Sequence, residues 1–306
     1  MHTSTIIIKK NSSIKSVAYQ LQNQNLISYR YFFSYLAVLK NVNIIKGKYR
    51  FYKGTPASKI LEILSKGNVL TKKVTIPEGF NLYEIAETLE VNNITKANEF
   101  LLYSFDQNFI KSLGINSSSL EGYIFPDTYI FTENADTKDI IKTMHKKLNQ
   151  VLESIDLKNL NKLKLDKNKL LILASIIEKE AQRASERQQI SAVFHNRLNH
   201  GMRLDSDPTI RYAVKKFKGK IRYKDLKFDS PFNTRKYKGL TPTPICSVGR
   251  DSIIATLNPA DSSYLYFVAR NDGSHYFSKT LREHYKAVDY YQKKLKNGFI
   301  DKQQLF

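Results

Sequence analysis

One cysteine, Cys246, stands in 306 residues, which excludes an intramolecular disulfide and any multi-cysteine metal site. The fold must therefore be held by its core in either redox compartment. Long apolar runs are missing as well. The nearly unbroken run Leu170 to Ile177 falls far short of the roughly 18 residues that mark a membrane span, and Met1 leads into no secretory hydrophobic region. No anchor or export signal is read from the chain itself. Acidic residues are scarce, 28 Asp and Glu against 49 Lys and Arg, for a formal net charge of +21. Such an excess draws a protein towards nucleic acid, anionic lipid or acidic cell-wall polymer without choosing among them. What is present is ample: 42% hydrophobic and 12% aromatic residues supply one large domain or two to three smaller ones.

The first third carries a weak internal repeat. Setting Ile8 on Ile76 aligns Ile14, Val17, Ala18 and Leu21 with Leu82, Ile85, Ala86 and Leu89, each set following a short β-branched stretch and a polar turn. Tyr49 to Phe51, Lys53-Gly54, and Ala57, Ile60, Leu61 and Leu64 repeat the pattern between them. Each copy reads strand, turn, helix. Units of this kind bury no face alone and are expected to pack together as a small α+β module. The texture changes at Ser117-Ser118-Ser119, where a boundary is placed. Residues 1–70 and 71–116 form two small modules ahead of a larger domain, 117–306.

Helices are predicted over Thr137 to Leu152 and Lys169 to Gln182, the second apolar on nearly all sides and so buried. Ser185 with Gln188 reads as a capping box for a third helix, stopped by Gly201. Residues 204–249 show little periodicity, and so long a stretch in a compact domain is usually functional. Tyr264 to Ala269, Asn271-Asp272-Gly273 and His275 to Ser278 give a hairpin signal. A last amphipathic helix, Leu281 to Leu295, is capped by Thr280 with Glu283.

Glu178 ends the buried helix, in Leu173-Ala174-Ser175-Ile176-Ile177-Glu178-Lys179-Glu180. One reading makes it the start of a solvated helix end. The other makes it a carboxyl half sunk in apolar surroundings, able to remain an acid near neutral pH and protonate a leaving oxygen. A conventional glycosidase wants a second carboxylate across the substrate. Glu180 points to another side of the helix, and Asp205 and Asp207 lie before Pro208, where aspartates commonly make turns. One acid without an evident partner fits a reaction in which the same carboxyl group acts first as acid and then as base, the nucleophile being the sugar's own 6-hydroxyl.

The ordered motifs Leu173 to Glu180, Glu186-Arg187, Val193-Phe194-His195-Asn196-Arg197-Leu198, Gly201-Met202-Arg203-Leu204 and Asp207-Pro208-Thr209 resemble the YceG-like endolytic murein transglycosylases (MltG). The likeness continues through Ser230 to Thr234, Gly239 to Ile245, Asn258-Pro259-Ala260, Tyr264 to Ala269, His275-Tyr276-Phe277 and His284. It covers Leu120 to Tyr290, and Val74 to Gly79 resembles the family's LysM-like module. The resemblance implies an α+β fold, with small LysM-like α/β modules followed by a mixed α+β catalytic domain. It also implies a lyase that cleaves the MurNAc–GlcNAc bond inside nascent glycan strands, leaves 1,6-anhydroMurNAc ends and terminates strand elongation. By position Glu178 matches the catalytic Glu. Peptidoglycan strands are the expected substrate, with no cofactor and no metal, and cell-wall synthases (penicillin-binding proteins) the expected partners. The expected location is the inner (plasma) membrane with the catalytic domain periplasmic. The family's transmembrane helix would precede Met1, and its usual Gln is Asp205 here, which adds a carboxylate to the cleft.

Asn196, Asp207, Thr209, Tyr212, Ser230, Asn233 and Thr234 could hydrogen-bond the N-acetyl and hydroxyl groups of sugars, or equally satisfy loop backbone. Tyr237 could stack on a sugar ring or simply pack. His275 and His284 lack a third ligand at zinc spacing, and Pro242 and Pro244 stiffen their loop. Lys9, Lys10, Lys46, Lys48, Lys53, Lys72 and Lys73 make the first third basic, a solvated face or an attraction to acidic polymer or membrane surface. Two other classes compete with an enzyme. One is a non-catalytic LysM-like wall-binding scaffold. The other is a nucleic-acid-binding protein, for which no recognised motif speaks.

Overall fold

In the computed structural model residues 3–9, 11–133 and 135–294 are described, so Met1, Lys10 and Leu295 lie outside the described residues. The chain is mixed α+β, with its strands in three two-stranded antiparallel sheets. It divides into two compact units, one of residues 1–76, 85–101 and 128–141, the other of 77–84, 102–127 and 142–306.

The first unit opens with β1 (Thr3–Ile8), α1 (Ile14–Asn23), α2 (Arg30–Leu39), β2 (Gly47–Tyr52) and α3 (Ala57–Lys66). Strands β1 and β2 pair from Thr3↔Tyr52 to Ile8↔Gly47. Their period of two turns Ile6, Ile8, Tyr49 and Phe51 inward. The helical period sends Val17, Ala18 and Leu21 of α1 and Ile60, Leu61 and Leu64 of α3 into the same core. Ser13 caps α1 by accepting from the Ser16 amide at 3.2 Å. Gly67 closes α3 in the left-handed conformation that glycine adopts without penalty. The predicted strand–turn–helix copies thus appear, and the first two share one core. The third, β3 (Thr71–Thr75) leading to α4 (Leu82–Val91), has its strand paired with β4 (Thr128–Thr132), beyond α5 (Ala97–Phe105) and α6 (Gln107–Ser112).

The second unit takes up α7 (Thr137–Glu153) from residue 142 on, and α8 (Asn159–Lys162) then precedes α9 (Lys167–Glu180), which is buried at every position from Leu170 to Ile177. A helix apolar on all sides must be surrounded. Around it pack α10 (Arg187–Asn199), α11 (Asp207–Ala213) and, after α12 (Tyr223–Leu226), α13 (Arg250–Leu257). The hairpin β5 (Tyr266–Ala269) and β6 (His275–Ser278) forms as expected, and Phe267 meets Phe194 of α10 edge-on at 5.8 Å. Helix α14 (Leu281–Val288) carries the Thr280–Glu283 capping box and continues as a π-helical stretch to Lys294.

The Ser185–Gln188 capping box does not form. Helix α10 starts at Arg187 after a 3-10 turn over Ala184–Glu186, without a side-chain cap. The Glu186 carboxylate instead accepts from the His275 amide (2.9 Å) and sits 2.7 Å from His275 Nδ1. That contact ties the hairpin to the start of α10. Among the described residues no helix is long and apolar enough to cross a membrane.

Candidate active site

The last turn of α9 sends three charged side chains in three directions, as adjacent helical positions must. Glu178 keeps only 6% of its side chain exposed. Its Oε2 accepts from the Gly249 amide at 3.0 Å, and its Oε1 lies 3.6 Å from Nη2 of Arg187. Lys179 donates to the Gly79 carbonyl at 3.0 Å. Glu180 accepts from the Ser206 hydroxyl at 2.6 Å.

Gly249 reaches Glu178 because residues 245–249 run along α9. The Ile245 amide donates to Ser175 Oγ (3.0 Å), and the Cys246 thiol lies 3.4 Å from the Ser175 carbonyl. On its other side the same segment pairs with residues 79–80, Ser247 donating to the Phe80 carbonyl (2.7 Å) and Gly79 to that of Ser247 (2.9 Å). Asn81 then starts α4: its Oδ1 accepts from the Tyr83 and Glu84 amides while Glu84 accepts from the Asn81 amide. These links deliver Glu78 to the site. Its carboxylate occupies the space a Cβ on Gly249 would need. A larger residue at 249 would therefore displace Glu78. Gly249→Ala is expected to fold, since its backbone φ of −73° suits any residue, and to lose about tenfold or more in activity. Steady-state turnover beside a thermal melt checks both.

The sequence reading of Glu178 as a carboxyl group without a partner is thus corrected. Arg187 Nη2 lies 3.9 Å from Glu78 Oε2, and Arg187 Nη1 lies 3.9 Å from Asp251 Oδ2. Three carboxylates therefore surround one guanidinium, at ion-pair rather than hydrogen-bond distance. Burial pushes the Glu78 carboxyl up from its ordinary pKa, and the nearby Glu178 and Asp251 push it further against the pull of Arg187. Glu78 precedes Glu178 by a hundred residues, so no local pattern joined them. The signal lay in the Pro77-Glu78-Gly79 motif itself, which offered a carboxylate at a turn.

Glu180 belongs to a different cluster. Withdrawal from solvent raises its pKa to about 7, opposed first by the Ser206 hydrogen bond, with Asp207 raising it and Arg197 and Arg235 lowering it. Arg235 holds Asp205 (3.3 Å) and Asp207 (2.9 Å). Asp205 itself adopts a left-handed φ of 53°, a conformation aspartate tolerates better than most residues.

The eight sugar-binding candidates are dispersed. Asn196 donates to the Ser262 and Tyr264 carbonyls, and Asn233, fully buried, to those of Leu226 and Phe228. Thr209 and Thr234 are buried, share a hydrogen bond of 2.9 Å and satisfy the Ser206 backbone. Tyr212 packs on Phe232, with its hydroxyl beside Glu121. Asp207 is half exposed in its ion pair with Arg235. Ser230 and Tyr237 line a cavity of about 410 Å³ with Pro231, Leu240 and Pro242, where the Tyr237 hydroxyl donates to Asp229 at 2.7 Å. His284 stacks on Tyr266 at 5.3 Å.

Residues 6–290 match the YceG-like family. The chain belongs to the YceG-like family. Over 306 aligned residues this YceG-like chain is 36% identical to an endolytic murein transglycosylase of Bacillus subtilis (strain 168), covering 94% of this chain and 85% of that protein. It is 32% identical to an endolytic murein transglycosylase of Streptococcus pneumoniae serotype 2, covering 93% of this chain and 57% of that one. The crystal structure of a YceG-like protein from Listeria monocytogenes superposes with a TM-score of 0.66 at 35% identity, over 94% of this chain and 99% of the other. The matched family span includes Glu78, Glu178, Arg187 and Gly249.

Proposed function

We propose that this YceG-like chain is an endolytic murein transglycosylase, a lyase acting on peptidoglycan glycan strands, with Glu178 as its proton carrier. The observation that carries the assignment is the setting of Glu178. It is a nearly buried carboxyl group that directly follows the buried stretch Leu170 to Ile177 of its helix, with one oxygen fixed by a backbone amide. Oε2 is held by the Gly249 N–H and Oε1 faces Arg187 at 3.6 Å without a hydrogen bond to it; the transferred proton is assigned to Oε1. Glu178 donates that proton to the glycosidic oxygen between MurNAc and GlcNAc as the bond from the MurNAc anomeric carbon to that oxygen breaks. The MurNAc 6-hydroxyl then attacks the same carbon, and the Glu178 carboxylate takes its proton. The 1,6-anhydro ring closes, the acid is regenerated, and no water is consumed. An intramolecular nucleophile also supplies the effective concentration that a bound water would lack.

The same reading gives the enzyme nascent strands as substrate, termination of elongation as its role and cell-wall synthases as neighbours. Its small N-terminal modules are LysM-like wall binders. Its place is the plasma membrane, with the catalytic unit on the extracytoplasmic side. Mass spectrometry of digested strands tests the chemistry. Products are expected to carry 1,6-anhydro ends, lighter by one water than ordinary reducing ends, and a hydrated product set would overturn the assignment.

A further inference from the structure

Helix α2 has two apolar faces. At 100° per residue, Tyr31, Phe32, Tyr35, Val38 and Leu39 fall within an arc of about 120°, and Phe33 and Ala37 lie opposite them. The second pair is buried in the core of the first unit, whereas the five residues of the stripe are 57–76% exposed. No charged residue interrupts the stripe. A groove lined by Leu26, Tyr29, Phe32 and Gly54 extends it. An apolar stripe left in water over about two and a half helical turns is the mark of a surface that meets something.

The charge around it says what. Residues 1–76 hold thirteen Lys or Arg and a single acid, Glu62, which Lys59 and Lys66 already hold at 2.9 Å each. The unit's segments 85–101 and 128–141 add two Lys and six acids, so the unit as a whole has fifteen cations against seven acids, a net +8. Arg30 sits at the edge of the stripe, 4.8 Å over the Tyr31 ring and 5.7 Å from that of Tyr19, and Lys40 follows the helix end. A second copy of so cationic a unit would be repelled. A polyanionic sugar or nucleic acid would meet the cations and could stack on the aromatic rings, but would gain little from the aliphatic Val38 and Leu39. An anionic lipid surface uses both features. The aliphatic and phenyl groups enter the acyl boundary, the tyrosines sit at headgroup level and the cations meet phosphates.

We propose that the exposed face of α2 docks the first unit onto an anionic lipid bilayer, lying in the interface rather than spanning it. This inference does not depend on the assignment of Glu178. The chain has no tryptophan, so Phe32→Trp places a single reporter on the stripe, and Tyr223→Trp places one at an exposed position of the second unit. With vesicles of mixed phosphatidylglycerol and phosphatidylcholine, the Phe32→Trp emission is expected to shift to the blue and to be quenched by brominated acyl chains. The Tyr223→Trp emission is expected to do neither. A Phe32→Ser/Val38→Ser/Leu39→Ser variant with unchanged circular dichroism is expected to co-sediment with these vesicles about tenfold more weakly or worse. Unchanged Phe32→Trp emission at saturating lipid would overturn the proposal. So would full vesicle binding by the triple variant, or its loss of binding to purified sacculi while vesicle binding persists. Should the triple variant fail to fold, the two tryptophan reporters decide the matter alone.

Discussion

Glu178→Gln is expected to lower the rate of strand cleavage by about a thousandfold, within the range of roughly 10²–10⁴ that a positioned general acid–base supplies, while leaving the fold intact. The amide keeps the shape and can still accept from Gly249, so the α9–α13 packing has no reason to change. What it loses is the proton given to the leaving oxygen and the base that later receives one. Because one group serves both halves of the reaction, the loss should appear in kcat more than in KM. Turnover of purified glycan strands, with a melting curve as control for folding, measures it. A substitution that lowered affinity alone would instead assign Glu178 to binding.

The second large effect concerns stability and sits away from that carboxyl group. Glu121 is fully buried, with Oε2 accepting from the Leu82 amide at 3.2 Å and Oε1 without a hydrogen-bond partner among the described residues. Burial raises its pKa to about 8, partly offset by the Leu82 amide and the Tyr212 hydroxyl. The unfolded chain ionises this group near its ordinary value of 4.5. The raised folded pKa therefore supports stability fully below pH 4.5. That support is lost progressively as pH rises towards 8, where the folded state must ionise too. The loss amounts to about 3 kcal/mol at pH 7. Glu180, raised to about 7, acts in the same direction over a shorter window. Glu121→Gln removes one of the two. The variant is expected to gain in melting temperature relative to the parent as pH climbs from 5 to 8. Parallel pH–melting curves that stay a constant distance apart would contradict the account.

How much of this was legible in the sequence depended on whether the cause was local. The hairpin was readable because Asn271-Asp272-Gly273 separates two aromatic strands, and Asn271 and Gly273 do take positive φ. The Thr280–Glu283 box was readable because both partners lie within one turn. The Ser185–Gln188 box has the same spacing and does not form, because the chain makes a 3-10 turn over Ala184–Glu186 and α10 begins only at Arg187, two residues past Ser185. Burial of α9 followed from its composition, but the direction in which Glu178 points did not. It required Gly249, 71 residues on, and Glu78, brought in by the pairing of residues 79–80 with Ser247. Helix α2 escaped the periodicity reading for a physical reason: apolar residues on both its faces erase the alternation that marks an amphipathic helix. The polar candidates of residues 196–237 have side chains able to bind sugars. The structure spends most of those groups on backbone carbonyls and amides, the alternative such short side chains always offer in irregular segments. Ser230 and Tyr237 are brought together on an open cavity wall, and that pairing could not be foreseen from spacing alone.

The central claim is that Glu178, and neither of the carboxyl groups near it in sequence or in space, carries the proton. It is tested most directly by assaying Glu178→Gln, Glu180→Gln and Glu78→Gln side by side on defined glycan strands, with 1,6-anhydro ends counted by mass spectrometry. Anhydro products are expected to vanish in the first variant and to persist in the other two, reduced for Glu78→Gln, whose carboxylate shares Arg187 with Glu178. Anhydro products that persist in Glu178→Gln and vanish in Glu180→Gln would contradict the account.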